Sequence, residues 1–167
     1  MEPKTFHKLS YGLYVVSSKK SKRFNGQIAN TVFQITSKPP TIAVSINKEN
    51  LTYDFILESK VFTVSILSTE TPMKFIGRFG FKSGREIDKF EGIDYQVGAT
   101  GTPIVLDNSI GYIEAEVINT LDAGTHVLFV GKVVDAQIIK DGEPMTYAYY
   151  HEVKGGKAPK AAPTYID

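Results

Sequence analysis

The sequence predicts a mainly β protein, an antiparallel β-barrel with short helical insertions. Short runs rich in β-branched and aromatic residues dominate the chain, turn residues recur between them, and most strands follow one another as hairpins. A doubly wound nucleotide-binding fold, which alternates strands with helices, is therefore disfavoured. Neither the dinucleotide-binding glycine motif nor the P-loop motif occurs in the chain.

Six runs are predicted to be strands. The first four are short, and the last two are longer and are joined by a turn that contains Gly124. In the first long strand, Ala115 lies between Glu114 and Glu116, which predicts one buried face and one solvent-facing face. The six runs are residues 12–17, 30–36, 41–46, 61–67, 110–121 and 126–139.

Two helices are predicted between the strands. For the helix at 72–79, Thr71 would be the N-cap, Pro72 the first helical residue and Gly80 the left-handed residue that ends it. The other helix, at about 52–59, has Asn50 or Thr52 as its cap. It is only about two turns long, so tertiary packing must stabilise it.

Two further segments lack periodicity. Residues 81–102 are rich in glycine and charge, and we expect a long excursion with one turn of helix around 85–90. Residues 154–167 are rich in Gly, Ala, Pro and Lys, which predicts an extended arm behind a domain that spans 1–153.

Composition excludes several classes of function. The chain has 167 residues, a formal charge of +1 and no cysteine. The balanced charge argues against nucleic-acid and membrane partners, and the missing thiols exclude disulfides, iron–sulfur centres and thiolate metal sites. The three histidines lack the spacing of a metal site, so we expect no metal. With no signal-peptide pattern and no membrane-spanning run, a cytoplasmic protein is the default expectation.

A candidate anion site lies where a strand ends and a helix begins. The helix N-terminus presents free amides and partial positive charge, and Lys48, Asn50 and Thr52 would add a cation and hydrogen-bond donors around one phosphate. Plain capping by Asn50 or Thr52, with Lys48 in solvent, is the interpretation that the residues alone favour.

Two more segments carry polar groups that suit a ligand. Residues 25–31, with their amide and small side chains, could meet the polar edge of a planar ligand, although an ordinary Asn-Gly turn is the commoner meaning of Asn25-Gly26. Cations in residues 82–89 could form a second anion contact, or a solvated charged loop.

Aromatic residues offer two further candidates. His126 opens a predicted strand, where it could titrate at a barrel rim or lie on the surface of a hairpin. The cluster at 147–151 contains three tyrosines and His151, which could flank a flat heterocycle or fill a core or an interface. No arrangement of a hydrolase stands out.

Six motifs follow one another along nearly the whole chain. They are Asn25-Gly26-x-x-Ala29-Asn30-Thr31, Ser37-Lys38-Pro39-Pro40, Asn47-Lys48-x-Asn50-x-Thr52, Phe62-x-Val64-x-Ile66-Leu67, Ser83-Gly84-Arg85-x-x-x-Lys89-Phe90 and Gly124-Thr125-His126-x-Leu128-Phe129-x-Gly131. In this order and spacing they resemble the flavin reductase-like, FMN-binding split-barrel family. Within it, the chain looks most similar to the flavoredoxins and to the flavin domain of high-molecular-weight rubredoxins, whose tails resemble residues 156–165.

The resemblance implies a six-stranded split barrel in a homodimer, with FMN near the subunit interface. It implies electron transfer from NADH or NADPH, or from a protein donor, to free flavin or to a separate acceptor protein. His126 would be the catalytic residue, close to the flavin ring or the nicotinamide. The residues implied to bind FMN are Ala29, Asn30 and Thr31 along the ring, Ser45, Asn47, Lys48, Asn50 and Thr52 at the ribityl chain and phosphate, and Ser83, Arg85 and Lys89 at the anion.

The chain departs from the family at two positions. Relatives often have Ser in place of Thr31, which keeps the hydroxyl, and an acid in place of Thr125, which puts acid-dependent tuning of His126 in doubt. Two alternatives remain open: a non-catalytic FMN-binding electron-transfer protein, and a pyridoxamine-phosphate oxidase-type barrel, which the motifs fit less well.

Overall fold

A computed structural model describes residues 1–166. Besides a 3₁₀ helix at Pro3–Lys8, the described chain contains three α-helices: α1 (Leu51–Ser59), α2 (Met73–Gly80) and α3 (Tyr147–Glu152). Its strands are β1 (Tyr14–Lys20), β2 (Arg23–Ala29), β3 (Val32–Ser37), β4 (Pro40–Asn47), β5 (Val61–Leu67), β6 (Tyr95–Val97), β7 (Pro103–Val105), β8 (Ser109–Asp122) and β9 (His126–Ile138).

The strands form one antiparallel seven-stranded sheet with the order β2-β1-β5-β8-β9-β4-β3, and β6 and β7 form a separate hairpin. β2 contacts β4 although the two strands are not hydrogen-bonded neighbours, so the sheet curls into an open barrel. The predicted mainly β, split-barrel class is confirmed. The expected count of six strands is too low, because β2 of the main sheet and the β6–β7 hairpin were not predicted.

Two apolar clusters stabilise this fold. The first fills the barrel, where Phe62, Phe129 and Val64 meet Ile56 of α1. The second lies outside the barrel, where Phe75 and Phe79 of α2 pack with Tyr147 and other aromatic residues. α1 therefore closes one end of the barrel, and α2 is held on its outer side, close to β2, where α3 packs against the same cluster.

β2 corrects the interpretation of Asn25-Gly26 as a turn. Both residues lie within the strand, where they pair with Ser18 and Ser17 of β1. The chain reverses earlier, at Ser21, whose φ of 52° takes the left-handed conformation that the tight turn requires. Asn25-Gly26, a dipeptide that is typical of turns, therefore lies inside a strand.

The helix limits differ from the predicted ones. Pro72, not Thr71, is the N-cap of α2, and the Thr71 hydroxyl instead donates to the Ser68 carbonyl at 2.7 Å. Gly80 is the last helical residue, and the chain continues through Phe81 in a right-handed conformation, so the expected left-handed glycine is absent there. α1 does end in a left-handed residue, Lys60.

The excursion at 81–102 forms turns and the start of a hairpin, without the expected helical turn at 85–90. It packs over β8, so Glu114 is fully buried (0% exposed) and not solvent-facing. The Glu114 carboxyl group accepts hydrogen bonds from the amides of Ala99 and Thr100, at 3.1 and 2.8 Å. The predicted alternation of β8 is confirmed on its inner face, where Ala115 packs into the barrel. The prediction for Glu114 is wrong because a distant segment covers the outer face at that position.

Residues 154–166 form no helix or strand, and they fold back onto the barrel, where Gly156 and Thr164 are buried. We call residues 156–164 the C-terminal strap. Within the described part of the chain, each helix is too short or too polar to cross a bilayer.

Candidate functional site

A cavity of about 320 Å³ lies between β2, β4, the N-terminus of α1, the C-terminus of α2 and the strap. Such a volume is typical of sites for cofactors and drug-sized ligands. Besides the predicted residues discussed below, its lining includes Leu13, Asn25, Gln27, Ile28, Glu49, Leu51, Ile76, Phe79, Gly80, Phe81, Lys82, Gly84, Tyr147, Tyr150, Lys157, Ala158, Pro159, Ala161, Ala162 and Pro163.

The polar end of the cavity is built around the start of α1. The first amides of an α-helix have no intrahelical acceptor, and the side chain of the N-cap residue, Asn50, makes no capping hydrogen bond. The hydroxyl of Thr52 accepts a hydrogen bond from Asn25 Nδ2 at 2.8 Å, so it does not cap the helix either. The capping interpretation is therefore wrong, and the amides of Leu51 and Thr52 remain available to an anion.

Gly84 brings the loop after α2 against this helix start. An ideal Cβ at Gly84 would lie 2.0 Å from Asn25 Oδ1 and 3.0 Å from Leu51 Cδ2. Only a residue without a side chain allows this close approach. The loop, β2 and α1 therefore meet as one polar wall.

Two cations border the same wall. The Lys89 ammonium is buried and donates to the carbonyls of Gly26 and Phe79, at 2.9 and 3.0 Å, so one of its three N–H groups has no acceptor among residues 1–166. Burial lowers the pKa of Lys89 to about 8. Arg85 is exposed and forms an ion pair with Asp54 at 3.2 Å, as well as a bond to the carbonyl of Glu49.

His126 lies at the rim, where β9 pairs it with Asn47 of β4. Its Nδ1 shares a hydrogen bond of 2.9 Å with the Thr125 hydroxyl. Burial lowers the pKa of His126, and the backbone of Ala161 in the strap partly opposes this shift. Burial therefore favours the neutral form of the imidazole.

Ten of the twelve residues predicted from the sequence line this cavity, and Thr31 and Lys48 do not. The Thr31 hydroxyl donates to Asn30 Oδ1 at 3.1 Å, behind the lining. The Lys48 ammonium binds the Asp122 carboxylate at 2.8 Å, because the turn between β8 and β9 lies beside the end of β4. The ten lining residues are Ala29, Asn30, Ser45, Asn47, Asn50, Thr52, Ser83, Arg85, Lys89 and His126.

The residues implied to bind FMN omit two parts of the lining. Asn25 and Gln27 belong to the candidate segment 25–31 but were not assigned to FMN; they occupy alternate positions of β2, a period that assigns them to one face once the strand is recognised. The strap supplies a further wall, and its composition carries no periodic signal from which a contact could be inferred. Of the aromatic cluster, Tyr147 and Tyr150 reach the cavity.

Comparison with known proteins identifies the relatives of this chain. A family model described as "Flavin reductase like domain" matches residues 6–156. The chain is 58% identical to the high molecular weight rubredoxin of Moorella thermoacetica over 99% of its own length and 72% of that protein. It is 53% identical to the ferric-chelate reductase (NAD(P)H) of Archaeoglobus fulgidus, over 100% and 99% of the two chains.

A solved structure also has the same fold as this chain. The FMN-binding protein from Thermus thermophilus with bound 1-cyclohex-2-enone superimposes with a TM-score of 0.74 at 27% identity, over 83% of this chain and 76% of that chain. The resemblance stated from the motifs is thereby confirmed. The chain belongs to the family of flavin reductase-like domains.

Proposed function

We propose that this protein is an FMN-dependent oxidoreductase that takes electrons from NADH or NADPH. The observation that carries the proposal is the cavity with an uncapped helix N-terminus at its polar end, because such an end binds a phosphate. The relative from Archaeoglobus fulgidus, matched over nearly its whole length, is named for NAD(P)H-dependent reduction. The Thermus thermophilus neighbour is named for FMN binding.

The residues present fit FMN. Gly84 leaves room where a side chain would collide with Asn25, which keeps the phosphate end open. Gln27 Oε1 is a buried acceptor for which the described residues supply no donor, and an N–H group of a bound heterocycle would satisfy it. Apolar side chains such as Leu13 and Ile76 supply surface for a flat ring.

Each part of the chain has a separate task in this proposal. When bound, FMN supplies a ring that accepts a hydride and passes electrons on. The α1 amides and Lys89 bind the phosphate, and Asn30 and Gln27 offer polar groups to the edge of the ring. His126 orients the incoming nicotinamide with its imidazole, whose Nδ1 is held by the Thr125 hydroxyl.

The test is spectroscopic. Protein purified in the presence of FMN should be yellow, and anaerobic NADH or NADPH should bleach the flavin absorbance. A preparation that stays colourless after incubation with FMN would refute the proposal. Binding of FMN without nicotinamide turnover would instead support the second candidate, an electron-transfer protein without its own reductase activity.

The electron acceptor is proposed to be free flavin or a separate redox protein. The rubredoxin relative is named for an electron-transfer protein, and this chain spans 72% of it. Since this chain contains no cysteine, it cannot itself supply a rubredoxin-type iron site. Reduction of cytochrome c or rubredoxin by NAD(P)H, with and without added FMN, would distinguish the two acceptors.

We also propose that the protein is a homodimer. Phe33 and Ile35 on β3, and Ile118 and Leu121 on β8, are apolar but 44–59% exposed. Exposed apolar side chains are typical of an interface, and here they lie on two strands of one sheet that β9 and β4 separate. Sedimentation should give about twice 18.5 kDa, and Leu121→Glu should shift the mass toward that of the monomer. A monomeric wild-type protein would contradict this assignment.

Replacing His126 with Ala should lower the rate of flavin reduction by at least about tenfold and change the FMN dissociation constant by less than about threefold. Within the described chain the imidazole is hydrogen-bonded to neither the α1 amides nor Lys89, so its loss leaves those phosphate-binding groups in place. Stopped-flow reduction and fluorescence titration with FMN measure the two quantities. Equal losses in both would assign His126 a structural role instead.

FMN affinity should fall as the pH rises above about 8. A phosphate beside Lys89 favours its charged form, so binding raises the Lys89 pKa above its value of about 8 in the free protein. The FMN affinity is then at its full value below about pH 8. Between pH 8 and the higher pKa of Lys89 in the complex, it declines by up to about tenfold per pH unit.

Titrations from pH 7 to 9.5 test this, because the FMN phosphate is already fully ionised over that range. Lys89→Met should bind more weakly and remove the slope. Lys82→Met serves as the control, since it removes an exposed cation from the same cavity and should keep the slope. A wild-type affinity independent of pH would count against a role for Lys89 at the phosphate.

A further inference from the structure

The strap accepts a hydrogen bond from the side-chain amide nitrogen of each of two asparagines that line the cavity. Asn30 Nδ2 donates to the Thr164 hydroxyl at 3.0 Å, and Asn47 Nδ2 donates to the Ala161 carbonyl at 3.1 Å. In both residues the oxygen is occupied locally: Asn30 Oδ1 accepts from the Thr31 hydroxyl, and Asn47 Oδ1 accepts from the amide of Glu49. Each amide group is therefore fixed in rotation by one partner on the barrel and one on the strap.

The contact between Thr164 and Asn30 is buried on both sides. Thr164 is 3% exposed, and Asn30 is 6% exposed. The Thr164 hydroxyl has one proton, which it donates to the Tyr147 hydroxyl oxygen at 2.8 Å, so it accepts the bond from Asn30. The result is a directed chain of hydrogen bonds that runs from Thr31 through Asn30 and Thr164 to Tyr147.

The strap is held in place by contacts that involve no ligand. At one end, the Tyr150 hydroxyl donates to the Lys157 carbonyl at 2.8 Å, and a Cβ at Gly156 would lie 2.1 Å from the Tyr150 ring. At the other end, His7 Nε2 lies 3.2 Å from the Thr164 carbonyl oxygen. Thr164 is thus positioned before any cofactor enters, as preorganised support of a binding group requires.

We propose that Thr164 is a positioning residue for Asn30, and that the strap thereby sets the polar groups which Asn30 presents to the edge of the flavin ring. This inference rests on the proposed function for the identity of the ligand. With one N–H and one lone pair used by the protein, Asn30 keeps one donor and one acceptor, and Thr164 fixes their directions. Thr164 itself lies behind Asn30 and is not a catalytic residue.

Three variants of the full-length protein test the proposal. Thr164→Val keeps the shape of the side chain but removes the hydroxyl, whereas Thr164→Ser keeps the hydroxyl and serves as the rescue. Tyr165→Phe is the matched control, because it removes a hydroxyl from the next residue, whose side chain forms no hydrogen bond within the described chain.

We expect Thr164→Val to weaken FMN binding about tenfold, since a buried N–H of Asn30 loses its acceptor, and to shift the absorption maximum of bound FMN. Thr164→Ser and Tyr165→Phe should both bind as the wild type does. If Thr164→Val and Thr164→Ser lower the melting temperature equally while the affinity and spectrum of FMN stay unchanged, Thr164 is only structural and the proposal is overturned.

A second readout does not need FMN. In the ligand-free protein, NMR should find the side-chain NH₂ of Asn30 protected from hydrogen exchange in the wild type and in Thr164→Ser, and exchanging faster in Thr164→Val. If the wild type fails to bind FMN, the proposed function fails, while this difference in exchange still supports positioning of Asn30. Equal exchange in all the variants would overturn it.

Discussion

Gly84→Val is expected to weaken FMN binding by about 2 kcal/mol, roughly thirtyfold. The new Cβ would collide with Asn25 Oδ1 at 2.0 Å and crowd Leu51, so either the loop lifts or Asn25 rotates away. Rotation would break the bond from Asn25 Nδ2 to the Thr52 hydroxyl. Both responses displace groups at the polar end of the cavity, and fluorescence titration with FMN measures the loss.

Gly77→Ala is the matched control for this prediction. Gly77 lies within α2, and an added Cβ there would meet no atom within 4 Å. Because Ala favours a helix by up to about 1 kcal/mol over Gly, this variant should bind FMN normally and melt at an equal or higher temperature. Tight FMN binding by Gly84→Val would show that the close approach is unnecessary.

Glu114→Ala is expected to lower the free energy of unfolding by about 3 kcal/mol. The change removes the carboxyl acceptor of two backbone amides, those of Ala99 and Thr100, and empties a fully buried position, while the Thr100 hydroxyl can still donate to Thr102. Urea denaturation measures the loss. Since Glu114 lies on β8 beneath the β6–β7 hairpin, FMN affinity in the folded variant should be nearly unchanged.

The neighbouring acid provides the control. Glu116 lies on the same face and the same strand but is exposed, so Glu116→Ala should change the free energy of unfolding by less than about 0.5 kcal/mol. A matching loss in both variants would mean that the effect comes from the strand propensity of β8. A stable Glu114→Ala protein would mean that water replaces the carboxyl group.

The strands were predictable where burial is continuous. β5 forms at Val61–Leu67, as its run of β-branched and other apolar residues predicts, and both of its faces are covered. β2 was missed since Asn25, Gly26 and Gln27 have poor strand propensity. This edge strand is stabilised by distant groups, such as the Lys89 ammonium on its Gly26 carbonyl, that local sequence does not reveal.

The candidate site was predictable where a local pattern carries the chemistry. The junction between β4 and α1 places Ser45, Asn47 and Thr52 at the cavity because a strand end and a helix start are visible in sequence. Lys48 points to Asp122 because a turn 74 residues away approaches it. The contacts of the strap with Asn30 and Asn47 likewise join residues that are more than 100 positions apart, and no period encodes them.

The fixed position of Thr164 also determines where the linker of a protein fused to this end of the chain would begin. Thr164 is held beside Asn30, so a carrier protein fused behind residue 167 would begin its linker within a few residues of the cavity. A short flexible linker holds its cargo at an effective concentration in the millimolar range. Such a fusion would meet the cavity far more often than the same carrier free in solution at micromolar concentration.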